Sequence, residues 1–484
     1  MSALRFLRRL LPAVALVALL FGGGSGVPAL TGDLAGRISP PGTNDPGAVT
    51  TGAPGSGGSP EPAPTVSADG PAAPGLTAPP GAGSPPPPGD GPQFYVDAAG
   101  DDTASGTAAA PWRTLAAAVA RVPAGATIRL GAGEFAATTI SNPGIRLVGM
   151  GVETVISGGL IVRADGVSVS NATLTGQSRA YRGGVIVEGA RDVAIRNSVI
   201  RGNPFGIHLL DAPGAHIEGN LVTDNGYGIE VHGATDGTLV SGNDIVDNDR
   251  RLDESRGAGG VNLYFTTGGI ALRANRIEGN DEVAIELYAA SDVTIEGNRL
   301  SGSNDLVETG TEDDRPCERL AITGNVLFAA TPGDAGEERG IYLRCASDAQ
   351  VAWNTFAHLD RFAIGLFSGS GGFNGPLRDV TIEHNVIAGG RAFSIDSVLP
   401  DSVSIDRDVI SPCRTGQCPE LGRQVAFVAS RRAGTERWGQ FRAWTGFEAR
   451  GVFADPQFVD AASGDYSLRP GSPAAGFAGA FAGP

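Results

Sequence analysis

Eight segments of this chain repeat one form, and that repeat leaves few folds open. DVAIRNSVIRGN, HIEGNLVTDN, LVSGNDIVDN, LRANRIEGN, TIEGNRLSGSN, AITGNVLFA, VAWNTFA and IEHNVIAGG each place an apolar-polar-apolar stretch before an Asn and a second apolar pair after it. The aligned positions are Asn197, Asn220, Asn243, Asn275, Asn298, Asn325, Asn354 and Asn385; several steps equal 23 residues, and longer ones contain visible insertions. A unit of this length, made of two or three short strands, is too long for one hairpin and has no room for a helix. It reads as one coil of a parallel β-helix. Stacked coils place equivalent residues about 4.8 Å apart, so the repeated Asn are expected to form an internal ladder of amide hydrogen bonds. The 73 Gly and 6% aromatic content fit a chain built from many tight turns.

The region before the coils reads strand, loop, short helix, strand, with Pro111 and the spacing of Leu115, Val119 and Val122 marking the helix. It is expected to cover the open end of the stack, where unpaired strand edges invite aggregation. No further long helix pattern is found. Further upstream, residues 30–92 are rich in Gly, Pro, Ser and Ala and are expected to form a disordered linker. At the start, Arg5, Arg8 and Arg9 precede an apolar run from Leu10 to Phe21 and then GVPA. This is the pattern of a signal peptide over residues 1–29, with retention as an anchor the alternative. Either way the protein is expected to be secreted or held at the cell surface.

The four cysteines suit an oxidising compartment, and Cys317 with Cys345 and Cys413 with Cys418 are the natural pairing of three connectivities. No CxxC or HxxxH spacing supports a metal site among them. The formal charge of -16 argues against nucleic acid and against bilayer contact by the mature domain. All 36 basic residues are Arg, so no lysine can serve as a base.

The runs FYVDAAGDD, PWRTLAAAV and GATIRLGAGEF resemble the N-terminal entry of right-handed parallel β-helix proteins of the pectate-lyase-like superfamily, and FADPQFVDAASGDYSLRPGSPAAG is similar to their C-terminal segment. LVETGTEDDRPC and GIYLRCA resemble a subgroup of exported bacterial members. The resemblance implies an all-β, right-handed solenoid over residues 93–476, followed by a tail at 477–484. Members include polysaccharide lyases, hydrolases, epimerases and non-enzymatic surface proteins, so the fold alone does not fix the chemistry.

Aligning the second strand of each coil on its inward residues places Ile186, His208, Glu230, Asn262, Glu286, Glu308, Tyr342 and Gly365 outward in one column. Two positions on come Glu188, Leu210, His232, Tyr264, Tyr288, Gly310, Arg344 and Phe367. The neighbouring strand carries a mixture such as Ala271, Thr294 and Ala321. Aromatic rings and carboxylates together in an open groove suit carbohydrate. The insertions before Asn262 and Tyr342 are expected to wall that groove. His208, Glu230, Asn262, Tyr288 and Tyr342 are therefore expected to bind substrate.

Glu286 and Glu308 fall on adjacent coils and are expected to share a proton or split their pKa values, which would suit glycoside hydrolysis. A lyase or epimerase needs a base and a cation that neutralises a uronic carboxyl. His232 or Tyr264 could supply the first and Arg344 the second, with Ca²⁺ held by Glu230, Glu286 or Glu308, or by Asp313 and Asp314. YGIEVHG is faintly similar to the Tyr/His sites of uronan epimerases but lacks their Asp-Pro-His motif. The expectation is a monomeric protein that binds a uronic or neutral polysaccharide and acts on it as a lyase or hydrolase. A non-catalytic carbohydrate-binding or structural surface protein is the alternative.

Overall fold

The computed structural model describes residues 91–481 except 178–182, 250–257, 313, 314, 316, 330–337, 360, 370–372, 397, 398, 412–424 and 436. The signal segment, almost all of the linker, Asp313, Asp314, Cys413, Cys418 and most of both insertions lie outside the described residues.

Each coil contributes a strand to three faces in turn, as in Ala194–Arg196, Val199–Arg201 and Phe205–Leu210. Stacking the coils gives three sheets of thirteen strands each, here called the first, the second and the site sheet. Neighbours pair in parallel except at the end of the site sheet, where Ala426–Val428 meets Ala433–Thr435 antiparallel. The chain is thus the right-handed parallel β-helix that the repeat and the resemblance implied.

Ile and Val recur at the inward positions because each must fill the same narrow interior. Ile195, Ile217 and Val240 align on the first sheet, Ile200, Val222 and Ile245 on the second, and Ile207, Ile229 and Val261 on the site sheet. All nine have no exposed surface, and burying such a side chain contributes about 1.5–3 kcal/mol.

The Asn ladder forms at the turn between the first and second sheets. Nδ2 of Asn220 donates to Oδ1 of Asn243 at 3.0 Å, and the same link continues through Asn275, Asn298, Asn325 and Asn354 to Asn385. Asn385 then donates to Asp408 Oδ1 at 3.0 Å. Asn197 is not part of it. That residue is exposed in a left-handed conformation (φ 47°), and the buried Ser198 stands in line with Asn220, its N–H donating to Asn220 Oδ1. A second ladder, Asn203, Asn225, Asn248 and Asn280, runs at the turn before the site sheet.

Both ends of the stack are covered. Helix α1 (Leu115–Arg121) is capped by Thr114, whose hydroxyl accepts from Ala117 N–H, and buries Leu115, Ala118 and Val119. Pro111 therefore lies before the cap rather than on the first turn. At the other end a helix absent from the sequence reading, α2 (Trp438–Thr445), buries Phe441 against Phe393 with rings stacked at 5.4 Å. Beyond it Glu448 accepts from the Asp408 backbone N–H at 3.3 Å, so the ladder ends on a buried pair of acids. Burial raises the pKa of both; the Asp408 charge raises Glu448 further, whereas at Asp408 the hydrogen bonds with Glu448 and Asn385 oppose the rise. Packing continues past Gly476, since Ala478 is buried and Gly479 N–H bonds His384 O at 2.8 Å.

Cys317 and Cys345 form a disulfide with Cα atoms 5.7 Å apart. No helix among the described residues is long and apolar enough to cross a membrane.

Candidate functional site

The outward columns of the site sheet fall in the expected register. Ile186, His208, Glu230, Asn262, Glu286, Glu308, Tyr342 and Gly365 are successive pairing partners, and so are Glu188, Leu210, His232, Tyr264, Tyr288 and Gly310.

A third column was missed: Phe205, Tyr227, Gly259, Val283, Asp305, Arg339 and Phe362 also align. Strict alternation would turn these residues inward. They face outward instead: Phe205 packs on His208 with ring centroids 5.0 Å apart, and the Arg339 guanidinium lies 5.1 Å from the Tyr342 ring. Glycine follows four of the seven members, Phe205, Tyr227, Gly259 and Arg339, and marks the break there. A Cβ at Gly228 would stand 2.6 Å from Gly260 O and one at Gly340 would stand 2.2 Å from Ala363 O, so these positions favour glycine. The recurring small residue in FGI, YGI, GGV and RGI was the available signal.

The face is not the open groove expected. His208, Glu230, Asn262, Glu286 and Tyr288 are all buried. Tyr288, expected as a sugar platform, is covered by its contacts with Tyr264, Phe265 and Phe373. Large side chains 4.8 Å apart in neighbouring coils pack on each other before they can meet solvent. His232, Tyr264, Glu308, Tyr342 and Arg344 keep partial exposure and define the accessible edge.

Two clusters result. In the first, His232 Nε2 lies 2.7 Å from Glu230 Oε1, and His208 Nε2 lies 3.7 Å from that same oxygen. The three side chains offer ligand atoms within 4.8 Å of one another. Tyr264 stacks on His232 at 5.3 Å, and its hydroxyl donates to Glu286 Oε2 at 2.6 Å. Asn262 Nδ2 donates to that oxygen as well, at 2.7 Å.

The second cluster begins one coil later. Arg344 Nη1 meets Glu308 Oε1 at 2.8 Å, and its Nε donates to Asn374 Oδ1 at 3.0 Å. Arg339 meets both oxygens of Asp305, at 2.6 and 2.8 Å. Burial, and then the Glu308 charge, pushes Asp305 well above the usual carboxylate range, while Arg339 and Arg344 oppose the shift. Burial likewise raises the Tyr342 phenol. Glu286 and Glu308 are register neighbours as expected; Glu286 accepts from Tyr264 and Asn262, and Glu308 from Arg344. The charge of Arg344 is already matched by Glu308.

Farther along this sheet a recess of about 600 Å³ is lined by Arg339, Tyr342, Arg361, Phe362, Arg391 and Phe427, among others. Arg391 makes no ion pair among the described residues; burial and the neighbouring Arg361 lower its pKa.

A family profile described as "Right handed beta helix region" matches residues 159–328 and 255–410, which together span more than half of the chain. The chain belongs to this right-handed β-helix family. No curated protein matches it. Among solved structures, it is similar to the catalytic unit of a GH87 α-1,3-glucanase from Streptomyces thermodiastaticus strain HF3-3, with 16% identity over 67% of this chain and 66% of that one and a TM-score of 0.50. It is also similar to XylC in complex with xylose, at 10% identity over 76% and 87% of the two chains with a TM-score of 0.51. Pectate lyase Pel9A matches at 15% identity over 69% and 82%, with a TM-score of 0.42. At these identities the likeness concerns the fold.

Proposed function

We propose that the protein is an exported polysaccharide lyase acting on a polymer that contains uronic acid. The observation that carries this reading is the 2.6 Å hydrogen bond from the Tyr264 hydroxyl to Glu286, on a tyrosine that is itself partly exposed. A buried carboxylate prepared to take the phenol proton makes the phenol oxygen a proton acceptor. In the elimination, the proton on the sugar carbon beside the carboxyl moves to Tyr264 Oη while the phenol proton moves to Glu286. The C–H electron pair becomes the new carbon–carbon double bond, and the C–O bond to the next sugar breaks with its pair on oxygen. Tyr264 then gives a proton to that leaving oxygen while Glu286 hands its proton back to the phenol, which restores the resting state. Asn262, sharing the Glu286 oxygen, orients the carboxylate.

An anionic polymer also suits the arginine-lined recess, whose near edge lies about 19 Å from the His232 strand, four coils along the same sheet. Export rests on the signal-like segment at residues 1–29. A calcium requirement would fall to Asp313 and Asp314, because Glu286 and Glu308 already accept from Tyr264, Asn262 and Arg344. The burial of Glu286 and Tyr288 favours one competing reading, a non-catalytic carbohydrate-binding protein.

The full chain and Tyr264→Phe should be compared on uronic and neutral polysaccharides by the ultraviolet absorbance of newly formed unsaturated ends. The expected result is absorbance from uronic polymers alone, falling about 10²–10⁴-fold in the variant. Undiminished activity in Tyr264→Phe would exclude this tyrosine as the proton-transfer group. Saturated ends would indicate a hydrolase, and binding without cleavage would support the competing reading.

A further inference from the structure

An elimination at Tyr264 needs a positive charge on the substrate carboxyl, and among the described strands of the site sheet no arginine stands beside Tyr264. Arg344 sits three coils away, about 14 Å along the stack, and is turned toward Glu308. The neighbouring coils on the other side of Tyr264 carry His208, Glu230 and His232 instead.

We infer that His208, Glu230 and His232 bind a divalent transition-metal ion of the Zn²⁺ class through the two imidazole Nε2 atoms and the carboxylate. The two ring nitrogens converge on one oxygen, Glu230 Oε1, at 2.7 and 3.7 Å. The longer distance is beyond a hydrogen bond. Ligands that each lie about 2.1 Å from a common ion stand roughly 3–3.4 Å from one another, a value these two distances bracket.

The rings are also held in place. His208 packs on Phe205 at 5.0 Å, and His232 stacks on Tyr264 at 5.3 Å. The buried Ile186 closes the column beside His208. Exposure rises from 4% for the His208 side chain to 11% for Glu230 and 23% for His232, so the open positions of the ion face the Tyr264 edge. Two imidazoles and one carboxylate select a transition ion over Ca²⁺ or Mg²⁺, which prefer oxygen, and leave positions for an external ligand. A substrate carboxylate is the ligand that fits; this role for the ion rests on the lyase reading, whereas its binding does not.

The test uses the full chain stripped with a chelator and then titrated calorimetrically with Zn²⁺ and Co²⁺ in the absence of sugar. One equivalent is expected to bind. His208→Ala, Glu230→Gln and His232→Ala should each weaken binding by more than the roughly 10–100-fold typical of losing an outer partner of a metal site, and His216→Ala should leave it unchanged. Absence of a 1:1 ion, or equal affinity in all four variants, overturns the site. Should a variant fail to fold by circular dichroism, the visible spectrum of the Co²⁺-loaded parent decides: nitrogen ligation supports the site, and a spectrum like that of hydrated Co²⁺ overturns it.

Activity then separates the two claims. Tight binding in a chain that cleaves no polymer upholds the metal site and sinks the lyase reading. Elimination undiminished in the metal-free protein overturns the neutralising role.

Discussion

Replacing Asn298 with Ala removes one rung from the middle of the ladder, and the structure fixes what is lost. The Asn298 side chain donates to Leu272 O at 2.8 Å and to Asn325 Oδ1 at 3.0 Å. Its Oδ1 accepts from the Asn275 backbone N–H at 2.9 Å and from Asn275 Nδ2 at 3.0 Å. Asn325 Oδ1 keeps one donor, the backbone N–H of residue 298. Leu272 O and the Asn275 backbone N–H lose this partner inside the solenoid, as does the Asn275 amide, which retains its bond to Val240 O. Leaving a buried polar group unpaired costs about 1–3 kcal/mol, so the substitution should destabilise by roughly 3–6 kcal/mol once partial relaxation is allowed. Asn197→Gly is the matched control. That side chain is exposed and outside the ladder, and glycine adopts the left-handed backbone there (φ 47°) freely, so its effect should stay within about 0.5 kcal/mol. Urea unfolding of both variants beside the parent, followed by circular dichroism, measures the difference. A loss below about 1 kcal/mol at Asn298, or equal losses at the two positions, would refute the hydrogen-bond accounting.

The buried acids Asp408 and Glu448 make stability depend on pH. Their folded pKa values are raised above the unfolded ones by burial, and at Glu448 also by the Asp408 charge. The fold thus favours their protonated forms: stability is greatest below the ordinary carboxylate range and falls as pH rises from there toward the folded values. One such proton contributes a slope of about 1.4 kcal/mol per pH unit. Glu448→Gln should flatten the fall in melting temperature between acid and neutral pH, and an unchanged slope would assign the dependence elsewhere. Reducing the Cys317–Cys345 disulfide, which spans 28 residues, should cost about 3.6 kcal/mol by loop entropy. A urea midpoint indifferent to reductant would contradict this. In Tyr264→Phe the loss of turnover should come without a comparable loss of stability, as paired activity and melting curves would show.

The site was partly legible before the structure. The register of His208, Glu230, His232, Tyr264 and Glu286 followed from the inward Ile and Val beside them, because a residue in an extended strand shares a face with its second neighbour. Asp305, Arg339 and Phe205 were not legible in this way. They belong to a column where the backbone departs from alternation, next to positions such as Gly228 where a carbonyl from the next coil leaves no room for a Cβ.

The ladder shows the same boundary. Spacing alone placed Asn220 through Asn385 in one row, yet it also drew in Asn197, one position out of line, because a repeated letter does not report which neighbour points inward. Helix α2 escaped notice because it buries Phe441 alone, with no second buried residue at helical spacing as in α1, and Phe441 is committed to the interior only by Phe393 beneath it.

By itself, then, the sequence determined the coil, its period and the pairing of side chains along the site sheet, since these depend on local alternation and on repeats that must stack. Tertiary structure alone decided which of those side chains reach solvent and which acid meets which arginine. It also brought two imidazoles onto one carboxylate oxygen. Those outcomes depend on how large side chains 4.8 Å apart fill the space between coils, and no single strand contains that information.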